Sequence, residues 1–97
     1  MMTTQQHAAR LYYCECYVNE HRLGAYDAHS PREALRWVRI SLMMIAITLD
    51  EEPYRQARAW LDDGQPTAAR DLEEGNPHTL TLKQRTTAAT WTISPIT

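Results

Sequence analysis

The sequence predicts an α+β domain: an antiparallel sheet, built from an N-terminal hairpin and C-terminal strands, covered by a long central helix and one or two shorter helices. Three observations carry this. Residues 10–18, 78–85 and 90–94 alternate apolar and polar side chains with a period of two. Residues 30–49 place their apolar side chains at helical spacing instead. The strand-like runs therefore lie at the two ends of the chain with helical runs between them, the grouping of an α+β fold and not of alternating βαβ units.

Length and composition bound the reading. Ninety-seven residues make a single domain, 1–97, with a polar stretch at 1–9 expected to fray. A chain of this size hides about two-thirds of its unfolded surface, enough for a core without staples. The net charge of −2 excludes a general nucleic-acid binder of the strongly basic kind. Charge is uneven: residues 1–49 hold five arginines against four acids, and residues 50–97 hold five basic residues against eight acids. Nine arginines to one lysine, with no phenylalanine, suit a GC-rich bacterial or phage genome. Residues 1–10 show no apolar targeting segment, so an intracellular, cytoplasmic protein is expected.

The elements follow in order. Arg10–Val18 predicts a strand, with Tyr12, Cys14, Cys16 and Val18 on one face and Leu11, Tyr13, Glu15 and Tyr17 on the other. Asn19, Glu20 and His21 form the expected turn, and Arg22–Ala28 the return strand, with Gly24 a candidate bulge. Glu52–Asp63 predicts a second helix stopped by Gly64, and Pro66 begins a short third segment ended by Gly75. His78–Arg85 and Thr90–Ser94 are the last two strands, joined through Thr86–Ala89. Pro95 restricts the final strand to an edge or to its own end.

The helix predicted over 30–49, about five turns long, is the most legible element. Ser30 is its expected cap, Pro31 suits the first helical position, and Glu33 can reach back to the Ser30 amide in a capping box. At about 100° per residue, Leu35, Val38, Leu42, Ile45 and Leu49 form one apolar stripe, and Trp37, Ile40, Met44 and Ile47 a second. Arg32, Arg36 and Arg39 line what remains. So wide an apolar arc has two readings. Either sheet and helix cover it from two sides, or the second stripe is an interface with another copy or a foreign protein. The apolar run is too short for a membrane span, and Arg39 interrupts it.

Signals for chemistry are weak. Cys14 and Cys16 share a strand face, but structural zinc calls for four ligands and wider cysteine spacing, so two small core residues are the plainer reading. His7, His21, His29 and His78 are scattered, with no nucleophile or carboxylate pair beside them. A non-enzymatic protein without cofactor or metal is expected, a small histidine-dependent enzyme or toxin being the weakest alternative. The charged sets fit a protein contact better. Arg32, Arg36 and Arg39 can grip acidic groups or phosphate. Asp50, Glu51 and Glu52, then Asp62 and Asp63, then Asp71, Glu73 and Glu74 form three acidic clusters, by default solvated helix ends, otherwise a surface that competes with nucleic acid for a basic groove.

The hairpin Tyr12–Ala28 followed by Ser30-Pro31-Arg32-Glu33-Ala34 resembles small phage and mobile-element proteins, and in size and layout is similar to anti-CRISPR proteins. The resemblance is architectural, covers about a third of the chain, and carries no functional residues over. It implies stoichiometric inhibition of a CRISPR effector complex by binding. The expected partner is therefore a protein, with no direct nucleic-acid contact and no membrane. A homodimer through Trp37, Ile40, Met44 and Ile47 is the alternative.

Overall fold

The computed structural model describes residues 11–96. The expected fraying of residues 1–9 and a strand start at Arg10 lie outside the described residues. The fold is the α+β arrangement that the sequence predicts, a four-stranded antiparallel sheet in the order β2-β1-β4-β3. Here β1 is Leu11–Val18, β2 His21–Ala28, β3 His78–Gln84 and β4 Thr87–Ile96. β1 and β4 form the middle, so one ladder from Leu11↔Ile96 to Val18↔Ala89 joins hairpins from opposite ends of the chain.

Alternation sets the faces. Tyr12, Cys14 and Cys16 of β1, Ala89, Trp91 and Ile93 of β4, and Leu82 of β3 are buried on one side. Slipping β4 by one residue would bury Thr90 and Thr92 in place of Trp91 and Ile93, so burial fixes the register. The opposite face carries Tyr13, Glu15, Tyr17 and the exposed Thr79, Thr81 and Lys83. On that face Arg22 donates to the Tyr13 hydroxyl at 2.9 Å and pairs with Glu15 at 3.3 Å.

The turns are tighter than predicted. Asn19 and Glu20 alone connect β1 to β2, with Asn19 at φ 55°. The Asn19 amide donates to the Ala88 carbonyl at 2.8 Å and its side-chain oxygen accepts from the Ala88 amide at 2.9 Å, which extends the β1–β4 ladder by one step. The bulge falls on Leu23, not Gly24: Cys16 opposes Gly24 and Tyr17 opposes Arg22, so Leu23 is the extra residue. Arg85 and Thr86 make the second connection, where a longer one over Thr86–Ala89 was expected. β4 consequently starts at Thr87, and Arg85, at φ 58°, belongs to the turn. Pro95 lies beyond the end of β3, which opposes β4 only as far as Ile93.

Helix α1 is Pro31–Ala46. Ser30 Oγ accepts from the Glu33 amide at 3.0 Å, as a cap should. The return arm of the capping box is shifted by one residue: Glu33 Oε1 accepts from the His29 amide, at 2.5 Å, rather than from Ser30. The helix also stops three residues before the expected end at Leu49. Thr48 and Leu49 donate to the carbonyls of Ile45 and Ala46 at 2.9 and 3.1 Å, tightening the last turn, and the Thr48 hydroxyl adds 2.6 Å to Ile45. The Asp50 amide then donates to the side chain of Gln84 at the tip of the β3–β4 hairpin, 2.6 Å, which pins the chain where it reverses.

The two later helices are one continuous run of 23 residues, not two. It comprises α2 (Glu51–Ala59), a π-helical turn (Trp60–Gly64) and α3 (Gln65–Glu73). Gly64 was expected to end the helix, but its φ of −82° is right-handed. A Cβ there would lie 2.9 Å from Cδ1 of Trp60, so glycine is needed for the indole and not for a stop. The π turn also makes room for Pro66, which has no amide to give. The Gln65 side chain donates to the Leu61 carbonyl at 2.8 Å, serving a group that the proline cannot. Gly75, at φ 88°, is the true terminator: its amide bonds Leu72 at 3.0 Å and that of Asn76 bonds Asp71 at 2.9 Å, a Schellman end.

The core lies between sheet and helices, with Leu35, Val38 and Leu42 of α1 meeting Trp60 and Leu72 from the long helical run. Its buried polar groups are satisfied. Trp91 Nε1 donates to Ser41 Oγ at 2.7 Å, and Ser41 in turn donates to the Val38 carbonyl at 3.0 Å. Trp60 Nε1 donates to His78 Nε2 at 3.0 Å.

Candidate interaction surface

Two apolar stripes were expected on the central helix, and tertiary packing treats them differently. Leu35, Val38 and Leu42 of the first are 5 %, 1 % and 0 % exposed. Ile40, Met44 and Ile47 of the second are 47 %, 75 % and 90 % exposed. Sheet and long helix both lie against α1, yet Ile40, Met44 and Ile47 stay open beside them. Only Trp37, at its start, is anchored. Its ring stacks on Tyr26 of β2 with centroids 6.3 Å apart and planes 6° from parallel. It also lies over Gly24, where an added Cβ would sit 3.6 Å from Cζ2.

Below this row runs an apolar groove of about 250 Å³, between the outer side of α1 and the ends of β1 and β2. Trp37, Met44 and Ile45 line it from above, and Val18, Leu23 and Gly24 from the sheet. The bulge turns Leu23 out to 66 % exposure at the rim. Alternation along β2 does not place Leu23, because the bulge interrupts it there. Gly24 beside Leu23 was the one available signal.

The three arginines keep to one face of α1. Arg32 and Arg39 border a groove between α1 and α3 that Glu73 also lines, and Arg36 shares one cleft with Arg32, His29 and Glu33 and another with Tyr26 and Trp37. The acidic clusters are partly neutralised within the molecule. Arg55 pairs with Glu51 at 3.2 Å and also with Glu52. Arg58 pairs with Asp62 at 3.1 Å, and Arg85 with Asp50 at 3.5 Å. Among the described residues, Asp63, Asp71, Glu73 and Glu74 have no ion-pair partner. Glu33 is occupied structurally: the His29 amide and the Tyr26 hydroxyl both donate to it and hold its carboxyl below the usual range.

The groups with chemical potential are placed apart. Cys14 and Cys16 are free thiols under α1. Burial, then the nearby Asp27 and Glu33, push Cys14 up to about 12, and burial raises Cys16 too, so both stay protonated and act as small apolar side chains. His21 and His29 are exposed, while His78 is half-buried against Trp60. No helix among the described residues is long and apolar enough to cross a membrane.

The fold and this surface define a small α+β domain with helices on one face of its sheet and an open apolar row beside them. No protein-family model, curated protein or solved structure matches the chain.

Proposed function

We propose that this domain works by binding another protein, without catalysis, and that the outer row of α1 is its contact surface. The observation that supports this is the exposure of Ile40, Met44 and Ile47 on a helix whose other side is closed. A contiguous apolar patch on a small soluble fold marks a site of contact. In its most specific form the reading is a phage-type inhibitor, resembling anti-CRISPR proteins, that binds a host nucleic-acid-handling defence complex in the bacterial cytoplasm and blocks it stoichiometrically. The small scaffold and the exposed carboxylates of Asp63, Glu73 and Glu74 support that form. Capture of partners by the tagged chain from bacterial lysate, at stepped salt, tests it. Wild type should retain a nucleic-acid-handling complex. Met44→Glu with Ile47→Glu should lose it, and Asp63, Glu73 and Glu74 changed to lysine should weaken it. Equal capture by all three proteins would remove both surfaces from the reading.

A second reading is a homodimer through Trp37, Ile40, Met44 and Ile47. Its support is the position of the row directly above β2, the edge strand of the sheet.

A further inference from the structure

We infer that the occupant of this surface is a second copy of the chain, joined through its β2 edge as well as through α1. This rests on the second reading above, the homodimer through the α1 row, and adds the strand, the register and the symmetry.

β2 is an edge strand of eight residues, with β1 on one side only. The apolar row overhangs this edge. Ile40 shares a cleft with Tyr26, and Met44 shares the groove with Leu23 and Gly24, all three of them on β2. An occupant that satisfies the whole surface must therefore bring a strand edge and an apolar helix row together, side by side. This chain carries that pair itself. A two-fold axis perpendicular to the sheet sets β2 antiparallel to its copy and brings the two α1 rows together on the same side of a continuous eight-stranded sheet.

The sequence of β2 selects a register. Side chains opposite each other across an antiparallel pair must share a face. With the axis at Ala25, Gly24 meets Tyr26 of the copy on the helix side, where the Trp37 ring that lies over Gly24 borders the copy's Tyr26. The bulge then matters. It makes Leu23 the extra residue, so that Arg22 follows Gly24 in the ladder and lies on the open face with Asp27. Arg22 of each copy comes opposite Asp27 of the other, which gives two complementary charge pairs. Asp27 is exposed and has no ion-pair partner among the described residues, and Arg22 already stands on that face beside Glu15. Without the bulge the two charges would lie on opposite faces.

The test uses the full chain. Ala25 lies on the axis, so Ala25→Cys should give a disulfide-linked dimer on mild oxidation. Ser94→Cys, exposed on an inner strand, should not. Sedimentation should show a wild-type dimer. Asp27→Arg should weaken it about tenfold, since two like-charged pairs replace two complementary ones. Adding Arg22→Asp to Asp27→Arg should restore it. The circular dichroism of each variant should match wild type. A wild-type dimer that Met44→Glu abolishes, but that Ala25→Cys does not cross-link and the charge swap does not rescue, would overturn the β2 pairing and leave the α1 contact standing. A monomer at 100 µM would overturn the second copy as occupant, the bulge and charges then serving to blunt the edge. Loss of foreign-partner capture in Met44→Glu would in that case still support a contact surface on α1.

Discussion

The two stripes of α1 differ in environment far more than in composition. Leu35, Val38 and Leu42 are closed in by sheet and helix, and Ile40, Met44 and Ile47, on the same helix, face outward. Burying a large aliphatic side chain contributes roughly 1.5–3 kcal/mol, so the first stripe holds the fold together. The second contributes little of that while the chain is alone. Apolar character therefore has two uses on one helix, and only neighbours separate them. The neighbours are also chemically distinct. Trp91 and Ser41 close the inner side with a buried hydrogen bond, whereas Trp37 borders the outer row by lying flat on Tyr26 and Gly24.

Truncating one residue of each stripe separates the two roles. Leu42→Ala should lower the unfolding free energy by roughly 2–5 kcal/mol, because Leu42 is fully enclosed and leaves a cavity. Ile47→Ala should stay within about 0.5 kcal/mol. Urea unfolding of both variants decides, and equal losses would mean that the outer row is covered in solution.

A smaller effect is expected at Gly64, where two terms oppose. Alanine is favoured over glycine in a helix by about 1 kcal/mol. The added Cβ would press on the buried Trp60 ring at 2.9 Å, and overpacking costs typically ~1–3 kcal/mol. Trp60 is held by its hydrogen bond to His78 and cannot swing aside, so Gly64→Ala should lower the melting temperature. A rise would show that the π turn can relax into α-helix.

Acid should strike the inner side through the same pair. His78 Nε2 accepts from Trp60 and so must be unprotonated, and burial holds His78 below its ordinary value against the opposing pull of Asp71. The folded form thus binds fewer protons than the unfolded one. The stability from this pair is fully present above the usual imidazole value of about 6.5 and is lost as pH falls through the depressed folded value. Unfolding free energies measured from pH 7.5 to 5 should decline, and His78→Gln should flatten that decline. A wild-type curve without slope in this window would disprove the assignment.

A modest loss is expected at the cap. Ser30→Ala removes the acceptor for the Glu33 amide and should cost about 1 kcal/mol. Thermal melts of wild type and variant check this, and a loss well above about 2 kcal/mol would mean that Ser30 holds more than its own helix end.

Neighbouring residues alone place the strands, the start of α1 and their inner faces. Period-two alternation placed Tyr12, Cys14 and Cys16 inward, and Ser30 with Pro31 placed the start of α1. These are local properties, written in neighbouring side chains. Tertiary structure decided what depends on residues far apart in the chain. Gln84 captures the Asp50 amide across 34 positions and helps to set where α1 stops. Gly64 does not end its helix because Trp60 fills the space over it, held by a histidine in another element. The bulge at Leu23 takes its meaning from pairing with β1. Of the candidate surface, the row on α1 was legible as an excess of apolar residues over what one stripe needs. That Ile40, Met44 and Ile47 remain open, and that the edge of β2 lies beneath them, follows from which side the sheet and the long helix pack. Spacing along a helix records direction but not which directions will be filled.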